Sequence, residues 1–327
     1  MSRARLRVGV VGAGNIARIA QLPTLAERDD VVLDVLVSRS EDPSALVRRW
    51  GFETAVSTVE EALERDLDAL FVLTPRSEHF QGVSLALAAG IDVFCEKPLA
   101  ATTRDAERLA DLADECDRVL MVGFNRRFAP TYAAAREQFG AAGAAFCVAQ
   151  KNRRGSEYRA TFENAIHTVD LLRWFCPGEP VEVAAHAAGD DPWQEDGLSA
   201  LVRFAGGGTG VLMAARNAGT WCEKLDAYGA ERTVEVVAPD TVTLTVDGVS
   251  TVRSMSPEAF GWATATKTFG FASAVHHFLD RVRDRGTPLT SGREAARTQA
   301  LLDMILQAAG LPTEEQKDRI WTSHATR

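Results

Sequence analysis

Three clusters of residues in this 327-residue chain have types and spacings that can do chemistry. The first is Gly12-Ala-Gly14-Asn15-Ile16-Ala17, directly after an apolar run at residues 6–11. Gly-x-Gly-x-x-Ala at a strand-to-helix turn suits a dinucleotide. The first glycine permits the tight turn, the second lets the backbone approach a pyrophosphate, and the alanine lets helix and strand pack closely. The amides of Asn15 and Ile16, opening the next helix, then face the phosphate charge. The second cluster comprises Thr74-Pro75 with His79, and Glu96-Lys97-Pro98; both follow apolar runs. Ligands of an open α/β sheet lie outside the carboxyl ends of its strands, so both motifs point to where a nicotinamide ring would sit. In the third cluster Glu163 and His167 stand one helical turn apart, and Asp170 follows three residues later. At that spacing all three project from one side of a helix.

The adenosine end of the cofactor is read at the close of the second strand. An acid there would accept from the 2′-hydroxyl of NAD. This strand ends Val37-Ser38-Arg39-Ser40 without one, and Asp34 stands too early within it. Ser38 and Arg39 suit a 2′-phosphate, because a guanidinium matches phosphate geometry. NADP(H) is therefore the expected cofactor, with NAD as the other candidate.

The elements that must position these clusters follow from periodicity. Short, nearly all-apolar strands at residues 6–11, 31–37, 69–73, 91–95 and 119–122 alternate with helices at 16–27, 44–50, 58–64, 78–89 and 104–116. That alternation predicts βαβ units and a parallel sheet covered on both faces. An α/β, doubly wound Rossmann domain over residues 1–124 is the expected result. After Gly123 the pattern changes. Strands are expected at 144–151, 181–188, 198–204, 209–215, 224–228, 233–237 and 242–246, with helices at 130–139, 163–175, 273–285 and 293–309. Gly206-Gly207-Gly208 and Asp247-Gly248 mark hairpin turns. Residues 125–327 are thus expected to form an α+β domain on an open, mostly antiparallel sheet, for substrate binding and oligomerisation. The closing helices are free to pack back on the first domain.

Composition narrows the function classes. The net charge of −9, without a clustered basic stripe, argues against a nucleic-acid surface. No run approaches the 18 apolar residues of a membrane span. The basic stretch at residues 2–7 leads into only four apolar residues before Gly12, too few for a secretory signal. Five cysteines (Cys95, Cys116, Cys147, Cys176, Cys222) include no Cys-x-x-Cys pair, which reads as buried free thiols in a reducing cytoplasm. His276-His277 has no convincing partners for a metal, and no metal motif is expected. One uncovered face on an open sheet predicts a homodimer or higher even oligomer.

Taken together, the Gly12/Gly14/Ala17 fingerprint, Thr74-Pro75 with His79, Glu96-Lys97-Pro98 and the helix carrying His167 and Asp170 resemble the Gfo/Idh/MocA oxidoreductases. This is the family of glucose–fructose oxidoreductase and inositol dehydrogenase, and the resemblance runs over nearly the whole chain. More narrowly, Gly123–Pro130, Ile166–Asp170 and the stretch from Gly261-Trp262 to His277-Phe278 look like the MviM-like branch. The resemblance implies that Lys97 and an acid–x–x–x–histidine pair form the active site. His167 takes the histidine role and Glu163 replaces the family's usual aspartate, one methylene longer; the preceding glycine pair is also missing.

Oxidising a secondary alcohol sends a hydride to nicotinamide and a proton to a base beside the carbinol oxygen. Histidine is the side chain whose ordinary titration lies near neutrality, so His167 suits that task. Lys97 then orients and polarises the oxygen, while Glu163 or Asp170 orients the histidine or binds hydroxyls. Arg126 is a substrate-binding candidate, and Asp170 has the alternative of holding the Arg126-Arg127 loop. The implied reaction is hydride transfer between NAD(P) and a sugar, cyclitol or related polyol. The resemblance also admits redox-neutral glycoside cleavage and a cofactor-sensing regulatory protein.

Overall fold

A computed structural model describes residues 5–40, 42–156, 159–255 and 264–316. Gly261-Trp262 of the branch motif lies outside the described residues. Among them the chain divides into two compact units: residues up to Phe124 with Phe271–Ala296, and Asn125–Gly270 with the residues from Arg297 on.

The first unit is built on six strands, β1 (Leu6–Val11), β2 (Val31–Val37), β3 (Thr54–Val56), β4 (Ala69–Val72), β5 (Asp92–Cys95) and β6 (Leu120–Val122). They run parallel in the order β3-β2-β1-β4-β5-β6, the doubly wound Rossmann order. Every residue of β4, β5 and β6 is buried, as expected of parallel strands covered on both faces. Phe71 of β4 and Phe94 of β5 stack at 5.0 Å, and Phe278 of the helix Phe271–Asp284 meets them edge-on at 5.3 and 5.7 Å. The expected helix over 16–27 is two pieces, a π-helical turn Ala17–Gln21 and an α-helix Leu22–Ala26. Strand β3 has only three half-buried residues at the sheet edge, and periodicity does not reveal it.

The second unit carries an eight-stranded sheet: β7 (Phe146–Asn152), β8 (Pro180–Ala188), β9 (Gly197–Phe204), β10 (Thr209–Ala215), β11 (Cys222–Gly229), β12 (Arg232–Val237), β13 (Thr241–Val246) and β14 (Val249–Ser254). Its order is β14-β13-β12-β11-β7-β10-β9-β8, and only β7 and β10 pair in parallel. Burial alternates strictly along β9, so one face is covered and the other open. The helix Ile166–Phe175 packs on the covered face against β7 and β10. The expected hairpin at Gly206–Gly208 joins β9 to β10. That at Asp247-Gly248 joins β13 to β14, with φ of 52° and 75° as a type I′ turn requires.

All five cysteines are free, but Cys116 and Cys222 are only half-buried, which corrects the expectation that every thiol is buried. Among the described residues no helix is long and apolar enough to cross a membrane, and no group of His, Cys, Asp and Glu could hold a metal.

Candidate active site

In the first unit a cleft of about 800 Å³ opens at the carboxyl ends of β1, β2 and β4, lined by Gly12, Gly14, Ser38, Arg39, Thr74 and Pro75 among others. Gly12 has φ of 89°, and a Cβ there would lie 3.0 Å from the Leu73 carbonyl oxygen. Only glycine combines that backbone with that approach. Gly14 is different: a Cβ would meet nothing within 4 Å, so the missing side chain leaves free space over the exposed turn. Ala17 is fully buried under the first helix, Asn15 is exposed and Ile16 half-buried. An exposed turn with an open glycine is the cradle a pyrophosphate needs.

Asp34 is fully buried and paired with Arg7 and Arg65, so it belongs to the sheet and not to ribose recognition. Ser38 and Arg39 do line the cleft. Arg39 is 75% exposed and pairs with Glu78, a second charge on the cleft wall.

Glu96 and His79 lie beneath the site. Glu96 is buried; its Oε1 accepts from Gln21 Nε2 and its Oε2 from the backbone amide of Lys97 at 3.2 Å. A Cβ on Gly123 would crowd the same carboxyl at 3.1 Å. Burial pushes the Glu96 carboxyl above its ordinary value, against the pull of Lys97 and the two hydrogen bonds. His79, 1% exposed, has Nδ1 at 2.7 Å from the Pro98 carbonyl oxygen and Nε2 at 2.8 Å from that of Thr74. It thus ties the loop after β4 to the loop after β5 and does not line the cleft. Burial holds its pKa below the ordinary value, outweighing the two carbonyls. Both residues, expected at the cofactor, support the loop that carries Lys97.

In the second unit the chain enters the helix Ile166–Phe175 through a π-helical turn, Ala160–Ala165. Both ends of that turn are anchored. Arg159 pairs with Glu195 and Glu314 at 3.0 Å each, and the Thr161 amide bonds Glu195 at 2.9 Å. Asn164 donates to the Lys151 carbonyl at 3.1 Å and accepts from Arg153 at 2.8 Å. Glu163 is half-buried on this turn and His167 is buried in the first turn of the helix.

Two expected substrate contacts are engaged by partners within the protein. Asp170 is buried and clasped by Arg127 through both oxygens, at 2.9 and 2.7 Å, with Thr298 at 3.1 Å. Its alternative role, holding the arginine loop, is the one observed. Arg126 is engaged with Glu223 at 2.6 and 3.0 Å. Glu223 also accepts from Tyr132 and pairs with Lys151 at 3.0 Å, all of them buried. Burial opposes the Glu223 charge, but Arg126 and Lys151 hold its carboxyl well below the usual range. Composition does not reveal this network. One signal exists: the alternation of β7 puts Lys151 in step with the buried Cys147 and Ala149.

Comparison with known proteins agrees with this geometry. Residues 6–124 match the family described as "Oxidoreductase family, NAD-binding Rossmann fold", and residues 140–235 match the GFO/IDH/MocA C-terminal domain. A protein of Salmonella typhimurium named as an oxidoreductase, YceM, is 31% identical, over 93% of this chain and 98% of that protein. The solved structure of a dehydrogenase (MviM) from Clostridium difficile superposes with a TM-score of 0.83 at 21% identity, covering 93% of this chain and 99% of that one. A levoglucosan dehydrogenase, solved with NADH and levoglucosan, gives 0.80 at 20% identity, covering 94% and 97%.

Proposed function

This chain belongs to the Gfo/Idh/MocA family of oxidoreductases, and from that premise we propose that it transfers a hydride between a nicotinamide dinucleotide and a CH–OH carbon of a sugar, cyclitol or related polyol. The observation that carries this reading is the cleft in which the Gly12–Gly14 turn and the strand-end loop Thr74-Pro75 share one lining, with His79 tying that loop to the one bearing Lys97. The residues fit the cofactor: Gly12 and Gly14 with the amides of Asn15 and Ile16 would hold the pyrophosphate, and Thr74-Pro75 would lie beside the ring. Bound there, the nicotinamide supplies the hydride acceptor or donor. Lys97 orients the carbinol oxygen and polarises it. His167 takes the hydroxyl proton during oxidation and returns it during reduction. Glu163 orients the histidine or binds hydroxyls, while Asp170 and Arg126 act at one remove by fixing the loop at 125–128.

The preferred cofactor in this reading is NADP(H). Ser38 and Arg39 stand at the cleft where an acid would select NAD, and Arg39 would exchange Glu78 for the 2′-phosphate. Calorimetric titration decides the point: NADPH is expected to bind more tightly than NADH, and the reverse order would overturn the assignment. The free thiols suit a reducing cytoplasm.

The open face of the second sheet exposes Phe146, Leu201, Met213 and Tyr228. We infer that a second copy covers it, giving a homodimer or higher even oligomer. Light scattering should report at least a dimer, and a monomer at micromolar concentration would contradict it.

A further inference from the structure

Most large apolar side chains left exposed on the central strands of the second sheet point to its open face. Trp221 does not. It immediately precedes β11, where Glu223, Leu225 and Ala227 are all buried on the covered face. Strand side chains repeat every second residue, so Trp221 shares that face. The contacts agree: Trp221 meets Phe269 at 5.9 Å, and the guanidinium of Arg126 lies 4.6 Å from the Phe269 ring while pairing with Glu223. Even so, Trp221 is 39% exposed. Its contact with Phe269 is perpendicular, at 85°, and takes up at most one face of the indole.

The surroundings of that indole are polar and already fixed. The last register pair of β11 with β7 is Cys222–Asn152, so the next positions are Trp221 and Arg153. Neighbours across strands on one face lie within reach of long side chains. Arg153 bonds Asn164, on the same π-helical turn as Glu163 and one residue from it. One end of the sheet therefore places a flat apolar surface in line with a guanidinium. A pyranose or cyclitol ring has the matching chemistry, with C–H bonds on its face and hydroxyls around its rim.

We propose that Trp221 is the platform on which the ring of the carbohydrate substrate stacks, with Arg153 at its rim. The inference rests on the sugar or cyclitol reading above and adds a specificity-determining residue to it. Trp221→Ala should raise KM for the polyol about tenfold, the equivalent of about 1.4 kcal/mol of stacking, with kcat and NADPH affinity little changed. A rise in KM alone is the signature of lost ground-state binding, which a general loss of structure would not give. Trp221→Phe, which keeps an aromatic face and the contact with Phe269, should restore most of the affinity.

A binding measurement makes the test independent of turnover. Saturation-transfer NMR with methyl β-glucopyranoside and myo-inositol as probes should show transfer to ring C–H protons in the wild type and in Trp221→Phe, and lose it in Trp221→Ala. Equal transfer in all three proteins, or none in the wild type, would overturn the platform. Polyol turnover with an unchanged KM in Trp221→Ala would also overturn it while leaving the dehydrogenase reading intact. Conversely, absence of turnover on any polyol with a Trp221-dependent NMR signal would retain the platform and remove the reading.

Discussion

Lys97→Met should reduce turnover by about 10²–10³-fold, the range set by loss of one positioned donor to the reacting oxygen, while leaving NADPH binding unchanged. Methionine keeps the reach of the side chain and its apolar stem and removes only the ammonium. The loop should survive the change because other residues hold it. Gln21 fixes Glu96, Glu96 accepts the Lys97 amide, and His79 bonds the carbonyl of Pro98. Steady-state rates on a responsive polyol, with cofactor titration in parallel, read the two effects apart. Near-normal turnover would remove Lys97 from the mechanism. Loss of both rate and cofactor affinity would assign it to cofactor binding instead.

Glu223→Ala should destabilise the second unit by about 3–5 kcal/mol, the cost of breaking a buried ion pair from one side. Arg126 and Lys151 both pair with this carboxylate in the interior, and Tyr132 donates to it at 3.1 Å. The substitution leaves two cations facing the space of one lost anion. Glu223→Gln, which retains an acceptor, should cost less. The pH dependence carries a definite sign. The folded carboxyl titrates below its unfolded value, so its stabilisation is complete above the ordinary glutamate range and is lost as the pH falls through the folded value. Urea unfolding from about pH 5 down to about pH 2 should therefore show a steeper acid loss in the wild type than in Glu223→Gln. Parallel curves would place the acid sensitivity elsewhere.

Much of the fold was legible because burial on both faces of a parallel sheet leaves a plain trace. β4 is an unbroken apolar run and β5 is apolar after its first residue, Asp92, and the turn residues Gly206–Gly208 and Asp247-Gly248 stand where the hairpins are. What escaped has physical causes. Strand β3 is three residues long and only half-buried, too short for a period to form. The hairpin between β11 and β12 turns on Ala230 and Glu231, with φ of 49° and 59°, at positions that usually carry glycine or asparagine. The π-helical turns Ala17–Gln21 and Ala160–Ala165 insert a residue into helices whose apolar spacing reads as regular.

The candidate site divides in the same way. Gly12, Gly14 and Lys97 lie in local motifs whose chemistry depends on neighbours in sequence. Arg126 looked available because its partner, Glu223, stands 97 residues away, whereas the pairing of Asp170 with the arginine loop was already one of its two readings. The pairing of Arg126 with Glu223 of β11 is a property of the folded chain and has no local signature.

The account depends most directly on a dinucleotide lying across the turn at residues 12–17. Gly14→Val tests this cleanly, because the added side chain meets no protein atom at its Cβ and enters only the space assigned to the pyrophosphate. Calorimetric titration of NADPH and NADH should give one site per chain in the wild type and no detectable binding in Gly14→Val, with unchanged thermal stability of the unliganded protein. Equal affinity in both proteins would place the nucleotide elsewhere and contradict the account.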